Sequence, residues 1–171
     1  MSIFRRRGDA PARTLRDAVP LGPGEQLLAW AQDEGSRGYV VVTTHHLVFV
    51  DAAWQVAWSR SWHEVDGATW HPDSDRLTVT WVDGTDPARW VVRESALLKQ
   101  ALRERVQASV VLADEFRTED RRKVRVVIRQ DLATGRLLEQ IIAGRGVDLR
   151  EGDVRAEAEK RLKVLRSEVG R

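Results

Sequence analysis

The four histidines are the side chains best suited to metal or acid–base chemistry, and their spacing argues against both. His45 and His46 are adjacent, so on a strand they point to opposite faces and cannot chelate one ion together. The run from His63 begins like the H-E-x-x-H zinc motif, but Gly67 stands where the second histidine is needed. The chain has no cysteine, which excludes disulfides, thiolate metal sites and cysteine nucleophiles. We therefore predict no metal and no cofactor.

The hydroxyl and carboxyl groups do not form a recognisable catalytic pattern either. No serine lies in a G-x-S-x-G elbow, and no glycine-rich phosphate-binding loop follows a predicted strand. Asp73 and Asp75 fall in a predicted turn, where solvated carboxylates are usual. We predict no catalytic residues and a protein that is not an enzyme. A small enzyme or ligand carrier with a tryptophan-lined pocket remains an alternative, because all seven tryptophans lie between Trp30 and Trp90.

Basic side chains are the remaining candidates for binding. One group lies on a predicted hairpin and could neutralise phosphates if its members share a face. Three acidic residues interrupt the group, and Phe116 is the one aromatic residue nearby. The candidate residues are Arg121, Arg122, Lys123, Arg125 and Arg129.

An arginine run near the N-terminus, Arg5, Arg6 and Arg7, is a second candidate for an anionic surface. At about 1 kcal/mol for each basic residue at a membrane, it needs a second anchor to hold the protein there.

Charge is distributed unevenly over a chain whose total is +2. Residues 1–20 have five arginines and two aspartates, residues 21–94 have five basic and eleven acidic residues, and residues 95–171 have eighteen basic and thirteen acidic residues. A nucleic acid or anionic membrane is therefore expected at the ends of the chain. The longest apolar run is too short for a transmembrane helix, and the missing cysteines fit a reducing cytoplasm.

Hydrophobic periodicity predicts strands first and helices later. A short helical turn over 10–18 precedes seven strands with alternating or β-branched patterns, and a helix with a stripe of Leu98, Ala101, Leu102 and Val106 follows from Ser95. Three further strands and a final helix capped by Asp153 complete the chain, with Gly170 at the expected C-cap. The seven early strands are predicted at 26–32, 37–43, 46–51, 54–59, 62–70, 76–82 and 88–93, and the later three at 109–118, 123–130 and 136–143.

One hairpin within this series resembles a known family. The run Thr43-Thr44-His45-His46-Leu47, continuing into Val48-Phe49-Val50, resembles the T-x-x-[basic]-L hairpin of bacterial PH-like domains of the pleckstrin-homology superfold. Trp58-Ser59 is similar to the pair that precedes the middle strand in such domains. The resemblance covers residues 24–108 or so and implies a seven-stranded antiparallel split barrel capped by a helix. It implies a binding scaffold and carries over no catalytic residue.

Phosphoinositide, the ligand associated with many such barrels, is not expected here. Its site needs several basic side chains around the first loop between strands. In this chain residues 32–37 hold Asp33 and Glu34 against one base, Arg37. Two carboxylates would repel a polyphosphate.

These observations predict an α+β chain in three parts: a basic arm over 1–24, the PH-like barrel with its capping helix over 25–108, and a β-β-β-α extension over 109–171. The extension is expected to pack on the barrel or on a partner. We predict a cytoplasmic, non-enzymatic binding module for an unknown protein partner or for self-association, with the extension contributing the interface. The alternative is peripheral attachment to lipid or nucleic acid through the arm and residues 121–123.

Overall fold

The computed structural model describes residues 9–93 and 95–169, apart from the side chains of residues 9 and 10. It is an α+β structure with three antiparallel sheets and three helices in the described residues. The helices are α1 (Asp9–Ala18), α2 (Ala96–Ser109) and α3 (Gly152–Val169). The strands are β1 (Leu27–Gln32), β2 (Tyr39–Thr43), β3 (His46–Val50), β4 (Val56–Ser61), β5 (Val65–His71), β6 (Arg76–Trp81), β7 (Ala88–Val91), β8 (Val110–Arg117), β9 (Lys123–Gln130) and β10 (Leu137–Ala143).

The first sheet has the order β1-β2-β3-β4 and is covered on both faces. Every residue of β2 is buried, as expected of a strand between two apolar layers. On the outer face, Leu15 of α1 and Val19, the residue after its end, pack against Val41 and Val48. The predicted helical turn in the N-terminal arm is thus a helix that completes this side of the sheet.

The second sheet, β5-β6-β7, shares a core with the inner face of the first. Helix α2 contributes the predicted stripe of Leu98, Ala101 and Leu102 to this core, with Val106 partly buried beside it. Trp62, in a single 3₁₀ turn between β4 and β5, is fully buried and donates its Nε1–H to the Thr43 carbonyl at 3.0 Å. In the described residues, the seven strands form these two sheets and no single closed barrel.

The extension forms the third sheet, β10-β9-β8, with α3 against one face. Helical periodicity predicts an α3 stripe of Val154, Ala158, Leu162, Leu165 and Val169. The stripe is confirmed, since Ala158, Leu162 and Leu165 pack on Val126 and Ile128 of β9. The opposite face of β9 bears Arg125, Val127 and Arg129, as its alternation predicts. That face is directed at residues 25–108, which hold β1 to β7 and all but the last residue of α2 and which we call the first unit.

A β-bulge corrects one prediction about the tryptophans. The sequence places Trp54, Val56 and Trp58 on one face of a strand, but the register slips between β3 and β4, with Phe49 opposite Trp58 and Val50 opposite Val56. One extra residue reverses the phase of a strand. Trp58 therefore packs on the inner core, which the first two sheets and α2 share, while Trp54 and Val56 pack on the outer cluster beside α1. Gly67 within the predicted strand 62–70 indicates a bulge, which a register shift between Val65 and Gly67 confirms.

The helix ends also differ from the predictions. Ser95 stands at the N-cap of α2, but its hydroxyl is buried without a hydrogen-bond partner in the described residues. Helix α3 begins at Gly152, so Asp153 lies in its first turn rather than at its cap. The predicted C-cap, Gly170, lies outside the described residues.

Candidate functional site

An apolar cleft of about 420 Å³ opens between helix α2 and the sheet of β5 and β6. The sheet side contributes two aromatic or aliphatic side chains and one methyl group, and the helix side contributes two aliphatic side chains, two basic ones and an amide. The lining residues are Ala68, Trp70, Leu77, Lys99, Leu102, Arg103, Val106 and Gln107. A cleft of this size can hold one or two side chains of a ligand.

The cleft exists because the inner face of β5 is incompletely covered. In the β5–β6 register, Ala68 is opposite Val79 and Trp70 is opposite Leu77, so all four side chains share the inner face. Val79 and Leu77 are buried, whereas Ala68 is exposed and Trp70 is half-buried. The fold therefore leaves the β5 end of its own core open to solvent.

The outer edge of β5 is also unpaired. Among the described strands β6 alone is hydrogen-bonded to β5, and residues 68–71 lie at this edge with Ala68, Thr69 and His71 exposed. An edge strand presents a row of free amide and carbonyl groups that an added strand can pair with. The apolar cleft and the free edge lie side by side.

Helix α2 runs antiparallel to β5 along this cleft. Near its start, Lys99 contacts the Trp70 ring, and at its end the Ser109 hydroxyl accepts a hydrogen bond from Arg129 at 3.0 Å. The same Arg129 nitrogen donates to the Val65 carbonyl at 2.8 Å, at the other end of β5. The α2 side of the cleft and the unpaired edge of β5 therefore run alongside each other.

Two basic side chains border the cleft at the end nearer Trp70. The Lys99 ammonium lies 3.5 Å from the centre of the Trp70 ring, where the ring face attracts a cation. Arg103, one helical turn further on, is exposed. Neither forms an ion pair with a carboxylate of the described residues, and the lining residues include no acid.

The predicted basic cluster is divided by the structure. Arg121, Arg122 and Lys123 are exposed at the turn between β8 and β9. Arg122 is bonded to Asp120 and to the Gly146 carbonyl, and Lys123 pairs with Glu115 at 2.8 Å. Local carboxylates therefore neutralise two of the three charges at this turn.

The other two members of the cluster are directed at the first unit. Arg125 pairs with Asp66 of β5 at 2.5 Å. Arg129 is 2% exposed and donates to the carbonyls of Trp62 and Val65 and to the hydroxyl of Ser109. Burial lowers the pKa of the Arg129 guanidinium, which the nearby Asp66 carboxylate partly offsets. These two side chains join the extension to the first unit and do not share a surface with residues 121–123.

The predicted arm residues Arg5, Arg6 and Arg7 lie outside the described residues.

Of the two adjacent histidines, His46 stabilises the hairpin in which they lie. His46 Nδ1 lies 2.7 Å from a carboxylate oxygen of Glu25, and the Thr43 hydroxyl donates to the same oxygen while accepting the His46 amide. Burial raises the pKa of the Glu25 carboxyl, but hydrogen bonds from Thr43, the Gly22 amide and His46 outweigh it and lower that pKa overall. Within residues 9–93 and 95–169, no group of three or more potential ligands from histidine, aspartate and glutamate converges on one point.

Most of the tryptophans fill the protein's own interior. Trp81 and Trp90 are buried in the inner core, and Trp58 packs on both with ring centres 5.5 and 6.0 Å away. Phe49 stacks on Trp58 and Trp90 from the first sheet. Trp58 and Trp81 also border an open depression beside Arg60, whereas Trp70 lines the apolar cleft.

Sequence reasoning did not predict the cleft. It assigned α2 to cover the strands, and the apolar stripe of α2 does so along most of its length. The available signal was the pair Lys99 and Arg103, four residues apart on a helix with no acidic residue three or four positions from either of them.

No family model matches this chain, and no curated protein is significantly similar to it. No helix of the described residues is both long and apolar enough to cross a membrane.

Proposed function

We propose that this chain is a non-enzymatic protein-binding module and that an extended segment of a partner protein binds in the cleft between α2 and β5. The observation that carries the proposal is the coincidence of an open apolar cleft with an unpaired strand edge along the same line. A segment added to β5 would pair its backbone with that edge and place alternate side chains in the cleft. The partner is another protein rather than a metal, cofactor or phosphoinositide.

We further propose that residues 25–108 form a PH-like split barrel. Two features support this assignment: a four-stranded and a three-stranded antiparallel sheet over one core, and α2 packed on that core. Hydrogen bonds also join the two sheets, because the Glu34 amide donates to the Val91 carbonyl at 2.9 Å and the Val91 amide donates to the Asp33 carboxylate at 2.8 Å. The extension then serves to brace the barrel beside the cleft.

A pair of variants on one strand tests the binding site. Ala68→Phe adds a ring to the inner face of β5 and fills the cleft, whereas Thr69→Phe adds the same ring to the opposite face. We expect the unfolding temperature of Ala68→Phe to stay equal to or above that of the wild type, because the added ring buries apolar surface. Proteins captured from a native lysate should bind wild type and Thr69→Phe, and should be lost with Ala68→Phe.

Each captured protein is then purified and its affinity measured by calorimetry. We expect at least a tenfold weaker affinity for Ala68→Phe, which is about 1.4 kcal/mol, with Thr69→Phe unchanged. Amide signals of residues 68–71 should shift in NMR spectra when the partner is added. Full-affinity binding by a folded Ala68→Phe variant would overturn the proposed site.

A further inference from the structure

We propose that the cleft selects a segment whose acidic side chains lie on the same face as one apolar side chain, and that Lys99 and Arg103 are the specificity-determining residues. This inference rests on the proposed function, because it names the class of segment that the cleft accepts. Two features of α2 support it: the charges of Lys99 and Arg103, and the distance between them along the helix.

Two cationic side chains of the cleft have no anionic partner among the described residues. Lys99 and Arg103 are four residues apart on α2, so they are neighbours on one face of the helix, where like charges repel each other. Neither has an ion-pair partner among the described residues, although twelve pairs of arginine or lysine with a carboxylate occur elsewhere in them. An anionic side chain placed between them relieves that repulsion and makes charge-assisted hydrogen bonds.

The contact with Trp70 fixes where the first of these charges lies. The Lys99 ammonium is 3.5 Å from the centre of the ring, and the ring itself lines the cleft. The charge is thus directed over the bound segment rather than into bulk solvent. Binding of a ligand therefore costs less side-chain entropy, because the Lys99 side chain is already held in place.

The distance between the two cations along α2 is close to the distance between alternate residues of an added strand. Four residues of helix rise about 6 Å, so Lys99 and Arg103 are separated by about that distance along α2. Alternate residues of a strand are about 6.6–6.8 Å apart and point to the same face. Because α2 and β5 run along the same line, two acidic side chains at alternate positions of the segment meet the two cations.

The apolar position follows from the order of side chains on α2. Beyond Arg103 the helix side of the cleft is formed by Val106 and Gln107, and the sheet side there is formed by Ala68. This end accepts an aliphatic or aromatic side chain on the same face as the acidic ones. The selected class is therefore an extended peptide with the pattern acid-x-acid-x-apolar, in either chain direction.

A displayed library of random unstructured peptides, selected on the whole protein, tests the selectivity. We expect wild type to enrich peptides that have aspartate or glutamate two or four positions from a large apolar residue. The variant Lys99→Glu/Arg103→Glu should instead enrich lysine and arginine at those positions, and should bind the wild-type peptides at least tenfold more weakly. A matched control, Arg145→Glu/Lys163→Glu, makes the same change of net charge at exposed positions away from the cleft and should keep the wild-type selection.

The outcomes separate this inference from the function it rests on. Enrichment that is lost in Ala68→Phe but shows no acidic preference, or no change with the charge reversal, overturns the selectivity and leaves the binding site in place. Failure to enrich any peptide overturns both. Binding of wild type to phosphatidylserine vesicles that the charge reversal abolishes, without peptide enrichment, would assign the cations to a membrane and contradict the proposal.

Discussion

At the scale of single residues, a buried carboxylate anchors the hairpin of β2 and β3. Glu25 has a side chain only 3% exposed, and it holds Thr43 and His46 at the two ends of the turn between β2 and β3. Trp62 binds the same turn through the Thr43 carbonyl. The polar residues of this turn are therefore structural.

The first prediction concerns pH and Glu25. Its pKa in the folded protein lies below the ordinary value of 4.5, so its contribution to stability is present above about pH 4.5 and is lost as the pH falls through the folded pKa. Glu25→Gln should lower the free energy of unfolding at pH 7 by about 1.5–3 kcal/mol, because hydrogen bonds to a charged acceptor are lost. Urea unfolding at pH 7, 5 and 3 should show this difference shrinking at pH 3. A difference that grows on acidification would contradict the assignment.

At the scale of elements, β9 connects the two parts of the molecule. One of its faces packs on α3 through Val126 and Ile128, and the other face donates hydrogen bonds from Arg129 to the backbone around Trp62. The Gln140 side chain of β10 adds a bond to the His63 carbonyl at 2.7 Å. Polar side chains of the extension thus bond to backbone carbonyls at the junction, beside the ion pair of Arg125 with Asp66.

The second prediction tests this junction. Arg129→Met removes the buried donors and leaves carbonyl groups without partners, so it should lower the free energy of unfolding by about 1.5–3 kcal/mol. Arg121→Met, at the exposed turn of the same sheet, should change it by less than about 0.5 kcal/mol. Urea unfolding of both variants measures the two values. Equal effects would mean that Arg129 does not hold the junction.

The sequence predicted these elements better than it predicted their roles. Alternation placed β9 at residues 123–130, because a half-buried strand needs period two and Val127 is the one apolar residue on the face of Arg125 and Arg129. It could not show that Arg125 and Arg129 face a neighbouring unit, because a charged residue on an alternating strand looks the same whether solvent or a carbonyl group receives it. The bulge near Trp58 escaped prediction for a similar reason: an extra residue leaves no compositional mark. The cleft depends on how far α2 reaches across β5, a tertiary property that periodicity does not encode.

At the scale of the whole molecule, the first unit has a core of its own. Its two sheets and α2 enclose one cluster of buried side chains, to which the extension adds only the partly buried Leu132, and the extension has a separate cluster between its sheet and α3. All seven tryptophans belong to the first unit. The cleft also lies entirely within it.

The third prediction is that a chain ending at residue 108 folds and keeps the cleft. Near-ultraviolet circular dichroism, which reports the packing of the tryptophans, should match that of the full chain. Thermal unfolding should occur at a lower temperature, because the bonds from Arg129 and Arg125 are lost. Peptides selected on the full chain should bind the truncated one with affinity within threefold. Lost binding by a folded truncated chain would assign the interface to the extension, as the sequence first suggested.

The exposed edge of β5 has a consequence for how copies of this protein meet in a crowded solution. An uncapped strand beside an apolar cleft is the surface through which identical chains most readily aggregate. Here the approach of a second β5 edge brings another Lys99 and Arg103 toward the first pair, and four unneutralised cations repel one another. The same charges that we propose to choose the partner thus keep the open edge from pairing with its own copy. Their protection weakens as salt screens them.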